Sequence, residues 1–178
     1  MVPALNSPVG GPLTSGTTLT YGGLAPATSY DAYVRGICEG GSPLLITGVF
    51  DGPLSGGQPK AIEFYAQDSI EDLSIYAIGS ANNGNGTTAP LGEFTFPSIG
   101  VSAGSYIYAT SDSADFVTYF GFSADYETSV AFINGDDAIE LIRDSVVIDI
   151  FGVDSVDGTG LTLEYLDGWA YRNNDVGA

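Results

Sequence analysis

Along this chain, short runs of Ile, Val, Tyr, Phe and Thr alternate with clusters of Gly, Pro, Asn and Asp, and no 3.6-residue apolar stripe persists. That is the pattern of strands joined by turns. Thr17–Tyr21 and Tyr30–Cys38 are the first two predicted strands. Pro43–Phe50 follows, and its consecutive Leu44, Leu45 and Ile46 predict burial on both faces. Lys60–Ala66 alternates, which places Ile62 and Phe64 inward while Glu63 and Tyr65 face the other way. Leu73–Gly79, Glu93–Phe96 and Ser105–Thr110 are further strands, the first of them ended by the Asn, Gly and Thr loop at 81–88. Ser111 to Phe116 reads as a helix start, capped by Ser or Asp and continuing to Tyr119. Val130–Ile133, Asp137–Arg143, Ser145–Phe151 and Leu161–Tyr165 complete the set, with Ile139, Leu141, Ile148 and Ile150 expected to point inward. Many short strands and one short helix predict an all-β sandwich.

Charge and composition narrow the function classes. Asp and Glu number 22 against four basic residues, for a net charge of −18 over 178 residues. Nucleic-acid binding rests on Lys and Arg neutralising phosphates, so a DNA- or RNA-binding role is excluded. An anionic membrane surface is disfavoured by the same electrostatics, and no apolar run is long enough for a membrane span. There is no histidine. This removes the commonest general acid–base, the commonest metal ligand and every Ser-His or Cys-His arrangement. Cys38 is the only cysteine, so these residues form no intrachain disulfide. The opening Met1 to Asn6 lacks the basic and apolar regions of a signal peptide, and Met1 reads as a start on an internal fragment.

Candidate sites are few, and no catalytic residue is predicted. Asp136 and Asp137 lie where a turn meets a strand; Asp136 is expected to bond the turn backbone, with Asp137 exposed. The loop from Asp154 to Gly160 offers Asp154 and Asp157 to a hard cation such as calcium, although it lacks the spacing of a dedicated calcium loop. Asn85-Gly86-Thr87 is a formal glycosylation sequon that also suits a hairpin loop. Tyr65, Tyr76, Tyr106, Tyr108, Tyr119 and Tyr126 could line a sugar-binding face, or serve as strand and core packing. Trp169 is expected to close the sandwich.

Two resemblances organise the chain. Asn134-Gly135-Asp136-Asp137-Ala138-Ile139-Glu140-Leu141, followed by Val147-Ile148-Asp149-Ile150-Phe151-Gly152, resembles the signature of bacterial lamin-tail-type domains. Leu45 to Val49, Lys60 to Tyr65 and Asp72-Leu73-Ser74 are similar to earlier segments of that family, although Gly48 and Phe50 stand where it often carries Glu and an aliphatic residue or Tyr. The stretch from Glu164 to Arg172 resembles the ending of lamin-tail modules attached to secreted bacterial nucleases. Upstream, Leu24-Ala25-Pro26-Ala27-Thr28-Ser29-Tyr30 and Val34 resemble the tyrosine corner of fibronectin type III domains.

These resemblances imply residues 1–42 as the C-terminal portion of a type III module and 43–178 as an Ig-like lamin-tail β-sandwich. They imply a non-catalytic extracellular unit of a larger bacterial secreted or surface protein, structural, adhesive or assembling in role. An accessory domain of a secreted nuclease or phosphatase, whose catalytic part lies outside the chain, is the alternative, as is a calcium- or glycan-binding module. Partners are expected to be proteins or surfaces, with no membrane insertion. Because Thr17–Cys38 lacks its partner strands, it is expected to dock on the main sandwich or to pair with another subunit, a route to self-assembly.

Overall fold

The computed structural model describes residues 42–173. The type III-like segment with its strands Thr17–Tyr21 and Tyr30–Cys38, the boundary at 42/43 and Cys38 itself lie outside or at the edge of these residues. Within them the chain is an all-β sandwich of two sheets with one α-helix.

The first sheet contains β1 (Leu44–Leu54), β2 (Gln58–Ala66), β5 (Tyr106–Thr110), β6 (Tyr126–Glu127) and β9 (Trp169–Tyr171), in the order β6-β5-β2-β1-β9. The second contains β3 (Tyr76–Ala81), β4 (Phe94–Thr95), β7 (Ala138–Arg143) and β8 (Val146–Phe151), in the order β4-β3-β7-β8. Pairing is antiparallel except between β5 and β6, which run parallel. The helix α1 (Ser113–Phe120) occupies the connection between those two strands, as a parallel crossover requires. It starts on Asp112, whose side chain accepts from the Asp115 N–H, and ends on Gly121 in the left-handed conformation. Among the described residues no helix is long and apolar enough to cross a membrane.

The alternation read from the sequence builds the core. Ile62, Phe64, Ile139 and Leu141 are fully buried, joined by Leu44, Ile46, Val49, Ile78 and Ile107. Leu45 is buried as well, so the head of β1 is covered on both faces as expected.

Several expectations need correcting. Ile150 is exposed, and Asp149 and Phe151 take the inward places. A bulge in β8 between the Leu141–Asp149 and Ile142–Val147 pairs inserts Ile148 and shifts the phase of everything after it. Val130–Ile133 is not a strand: it starts in a 3₁₀ turn, Ser129–Ala131, with the Thr128 hydroxyl accepting from the Val130 N–H. Val130, Ala131 and Ile133 still reach the core, while Phe132 is exposed. Leu161–Tyr165 forms turns, and only Tyr165 of that run is buried. The last strand is instead Trp169–Tyr171, paired with Gly48, Val49 and Phe50 of β1.

On the outer face of the second sheet, Gly79 of β3 faces Glu140 of β7. Glu140 is almost wholly buried, and its Oε2 accepts from both the backbone N–H and the hydroxyl of Thr88, each at 2.7 Å. A Cβ at Gly79 would land on the Thr88 hydroxyl. Gly79→Ala is therefore expected to push Thr88 off the sheet and cost about 2–3 kcal/mol, from overpacking and a buried carboxylate losing its donors. Urea denaturation measures it.

Candidate functional site

The site is built on the outer face of the first sheet. Two rows of side chains cross it. Tyr171, Gly48, Glu63 and Tyr108 are successive cross-strand neighbours on β9, β1, β2 and β5; one step along lie Trp169, Phe50, Ala61 and Thr110. The intervening residues Val49, Ile62 and Ala109 point to the core, as the two-residue period demands. Small residues, Gly48 and Ala61, thus form a low floor between aromatic side chains.

α1 and the chain after it raise the opposite wall. Phe116 is buried and lies in ring contact with Tyr108, Phe120 and Phe122 at centroid distances of 5.8, 4.7 and 5.2 Å. Phe50 meets Tyr119 and Phe120 at 5.4 and 5.1 Å. The result is a groove of about 370 Å³ bordered by Trp169 and Tyr171 on one side and by Tyr119, Phe120 and Phe122 on the other. Trp169 is 66% exposed and Tyr171 71%, so these rings form an open rim instead of closing the sandwich. The expectation for Trp169 is corrected: it stands on the outer face of the short strand β9 and is largely exposed.

Among the described residues Glu63 is the single charged side chain lining the groove. A bulge in β1 between the Ile46–Phe64 and Gly48–Glu63 pairs inserts Thr47. The Thr47 hydroxyl donates to Glu63 Oε1 at 2.8 Å and fixes the carboxylate. Tyr108, across the strand, has its phenol pushed well above the ordinary range, first by burial and then by the hydrogen bond and negative charge of Glu63. It stays a neutral donor at any physiological pH. Gly48 sits directly opposite Glu63; a Cβ there would make an ordinary 3.5 Å contact with the Glu63 Cβ. Its missing side chain leaves the carboxylate open to the groove. Gly48→Leu is therefore expected to fill the groove while leaving the unfolding free energy, read from urea denaturation, within about 0.5–1 kcal/mol of the parent, since a strand interior favours a side chain over Gly.

The other predicted positions fall elsewhere. Asp136 and Asp137 have exchanged roles. Asp137 is buried, accepting from the Asn83 N–H at 2.9 Å and the Asn134 N–H at 3.2 Å, and burial raises its carboxyl. Asp136 lies with Oδ2 2.6 Å from the Thr159 hydroxyl oxygen. Asp157 is exposed and takes both the N–H and the hydroxyl of Thr159, which lower its carboxyl. Asp154 contributes its backbone carbonyl to Gly86 N–H. Among the described residues no group of three or more His, Cys, Asp or Glu side chains is placed to hold a metal ion. Asn85 is exposed at the end of a 3₁₀ turn, Asn82–Gly84. Of the tyrosines, Tyr108 and Tyr119 line the groove, Tyr76 is buried, and Tyr65 and Tyr106 meet as tilted rings at 4.9 Å. Tyr126 joins Phe94 and Phe96 at the sandwich edge.

Gly48 and Phe50 carry the signal that sequence reading left unused. Both depart from the lamin-tail pattern, and they meet in the same groove. No family model matches the chain, and neither does any curated protein or solved structure.

Proposed function

We propose that this chain is a non-catalytic binding module of a larger secreted or surface protein, and that its ligand seats in the aromatic groove over Gly48. The observation that carries this reading is the pair of rim aromatics, Trp169 and Tyr171, left open beside a hollow that already holds a carboxylate. Concave apolar sites with few, fixed polar groups are the general form of small-ligand sites. The lamin-tail-like segments from Leu45 to Gly152 support the modular setting, and the type III-like segment upstream supports the extracellular one. Adhesion through a ligand is favoured over a purely structural role, because a spacer has no use for exposed aromatic rings.

A titration followed by nuclear magnetic resonance tests it, using cyclohexanol and methyl β-glucoside as neutral ring compounds. Shifts are expected at Gly48, Tyr108, Trp169 and Tyr171 and are expected to vanish in Gly48→Leu. Shifts scattered over other surfaces, or indifferent to that substitution, overturn the reading.

The same reading predicts no turnover. Purified chain is expected to leave DNA, RNA and p-nitrophenyl phosphate intact with or without magnesium or calcium, because among the described residues no second carboxylate and no Lys or Arg lines the groove beside Glu63. Activity that co-purifies with the chain and is lost on Glu63→Gln would show an enzyme instead.

A further inference from the structure

The groove combines aromatic faces with one anionic group, and that combination selects a kind of ligand. Trp169, Tyr171, Tyr108, Phe50 and Phe120 present ring surfaces around a hollow in which Glu63 is the single charge among the described residues. Ring faces carry negative electrostatic potential and attract cations. The carboxylate adds to it, and the chain's net charge of −18 draws cations from a distance.

The type of cation follows from counting hydrogen-bond partners. A primary ammonium has three N–H donors to satisfy. The groove offers a carboxylate whose Oε1 already takes the Thr47 hydroxyl and which Tyr108 also approaches. Burying a primary ammonium there would strand donors, which is costly. A trimethylammonium group has no donors, is weakly hydrated, and presents methyl groups to rings on every side. Its charge still gains from Glu63.

We propose that the groove binds a quaternary ammonium ligand of choline type, with the trimethylammonium group on the Gly48–Ala61 floor beside Glu63. This inference rests on the groove being the ligand site and names what fills it. Gly48 admits the group, the Thr47 bulge aims the carboxylate at it, and Trp169 with Tyr171 forms the wall through which it enters.

The chain's single tryptophan is Trp169, so its fluorescence reports occupancy of the groove directly. The full chain is titrated with choline and with 3,3-dimethylbutan-1-ol, which has the same shape without the charge. Choline is expected to shift Trp169 emission saturably and to bind about tenfold or more tightly than the neutral alcohol. Gly48→Leu is expected to abolish both responses. Glu63→Gln, which keeps the acceptor for Thr47, is expected to weaken choline severalfold and leave the alcohol unchanged. Equal binding of the two compounds, or a choline response indifferent to both substitutions, overturns the proposal. If cyclohexanol binds at the groove and choline does not, the ammonium inference fails while the groove remains the ligand site. If neither binds, both fail.

Discussion

Asp51→Ala is expected to lower the stability of the domain by about 3–5 kcal/mol, the cost of stranding one member of a buried ion pair. Asp51 is 1% exposed and lies opposite Lys60, itself 8% exposed, across the end of β1 and β2. The Lys60 ammonium contacts Asp51 Oδ1, and Oδ2 accepts from the Asp167 N–H at 3.3 Å. The Asp51 backbone N–H also bonds the Gly168 carbonyl, so one residue holds both the hairpin and the turn that leads into β9. Alanine would leave the ammonium inside without its carboxylate. Replacing the two together, Asp51→Leu with Lys60→Met, is expected to cost much less, because neither charge then has to be desolvated. Urea denaturation of the single and double variants checks both statements. A single variant within about 1 kcal/mol of the parent would show that the pair is solvated in solution.

A second large effect is expected at Asp149. This carboxylate stands on β8 of one sheet and reaches the other, accepting the Ile46 N–H at 2.8 Å. The guanidinium of Arg172 meets both its oxygens, at 2.6 Å for Oδ2, while Arg172 Nε donates to the Ile46 carbonyl at 2.8 Å. One nitrogen, Nη2, serves both carboxylate oxygens while Nε holds the β1 carbonyl, so the guanidinium ties the two sheets through charge-assisted hydrogen bonds. Asp149→Ala is expected to cost about 3 kcal/mol, from a buried N–H and a charged partner losing their acceptor together. Arg172→Lys is expected to recover only part of the function of the pair, since an ammonium lacks the spread of guanidinium donors that reaches Asp149 and the Ile46 carbonyl at once. Thermal unfolding followed by circular dichroism would rank parent, Arg172→Lys and Asp149→Ala in that order. An unchanged Asp149→Ala would mean that the sheets need no such tie.

Much of this scaffold was legible in the sequence. The alternation at Ile62, Phe64, Ile139 and Leu141 fixes which faces of β2 and β7 meet, and the turn residues between runs divide the strands. What pattern reading misplaces has a common physical origin. Ile150 and Asp149 are misassigned because a bulge changes phase without leaving any mark in the alternation. Asp51, Asp137, Glu140 and Asp149 look like solvent-facing acids, yet each is buried beneath irregular chain whose N–H groups, or a nearby cation, need an acceptor. The groove was invisible for a related reason. Its floor is defined by register, Gly48 against Glu63 and Phe50 against Ala61, and its rim comes from a strand too short to show a period. The tyrosines suggested a ring-lined face without indicating where, because Trp169 and Tyr171 reach it only through pairing with residues more than a hundred positions earlier.

That pairing of the first described strand with the last has a kinetic consequence. β9 is a three-residue edge strand, and everything that recruits it is distant in sequence, so it belongs among the late, slow contacts of folding. The same brevity makes it the natural place for local opening well below the free energy of global unfolding. Amide hydrogens of β1 that face β9 are expected to exchange faster than those facing β2. Each opening removes the Trp169–Tyr171 wall while the rest of the sandwich stays closed. A ligand held against that wall slows this exchange without altering the protection of β3 or β7, and so binds the first and last described strands into one cooperative unit.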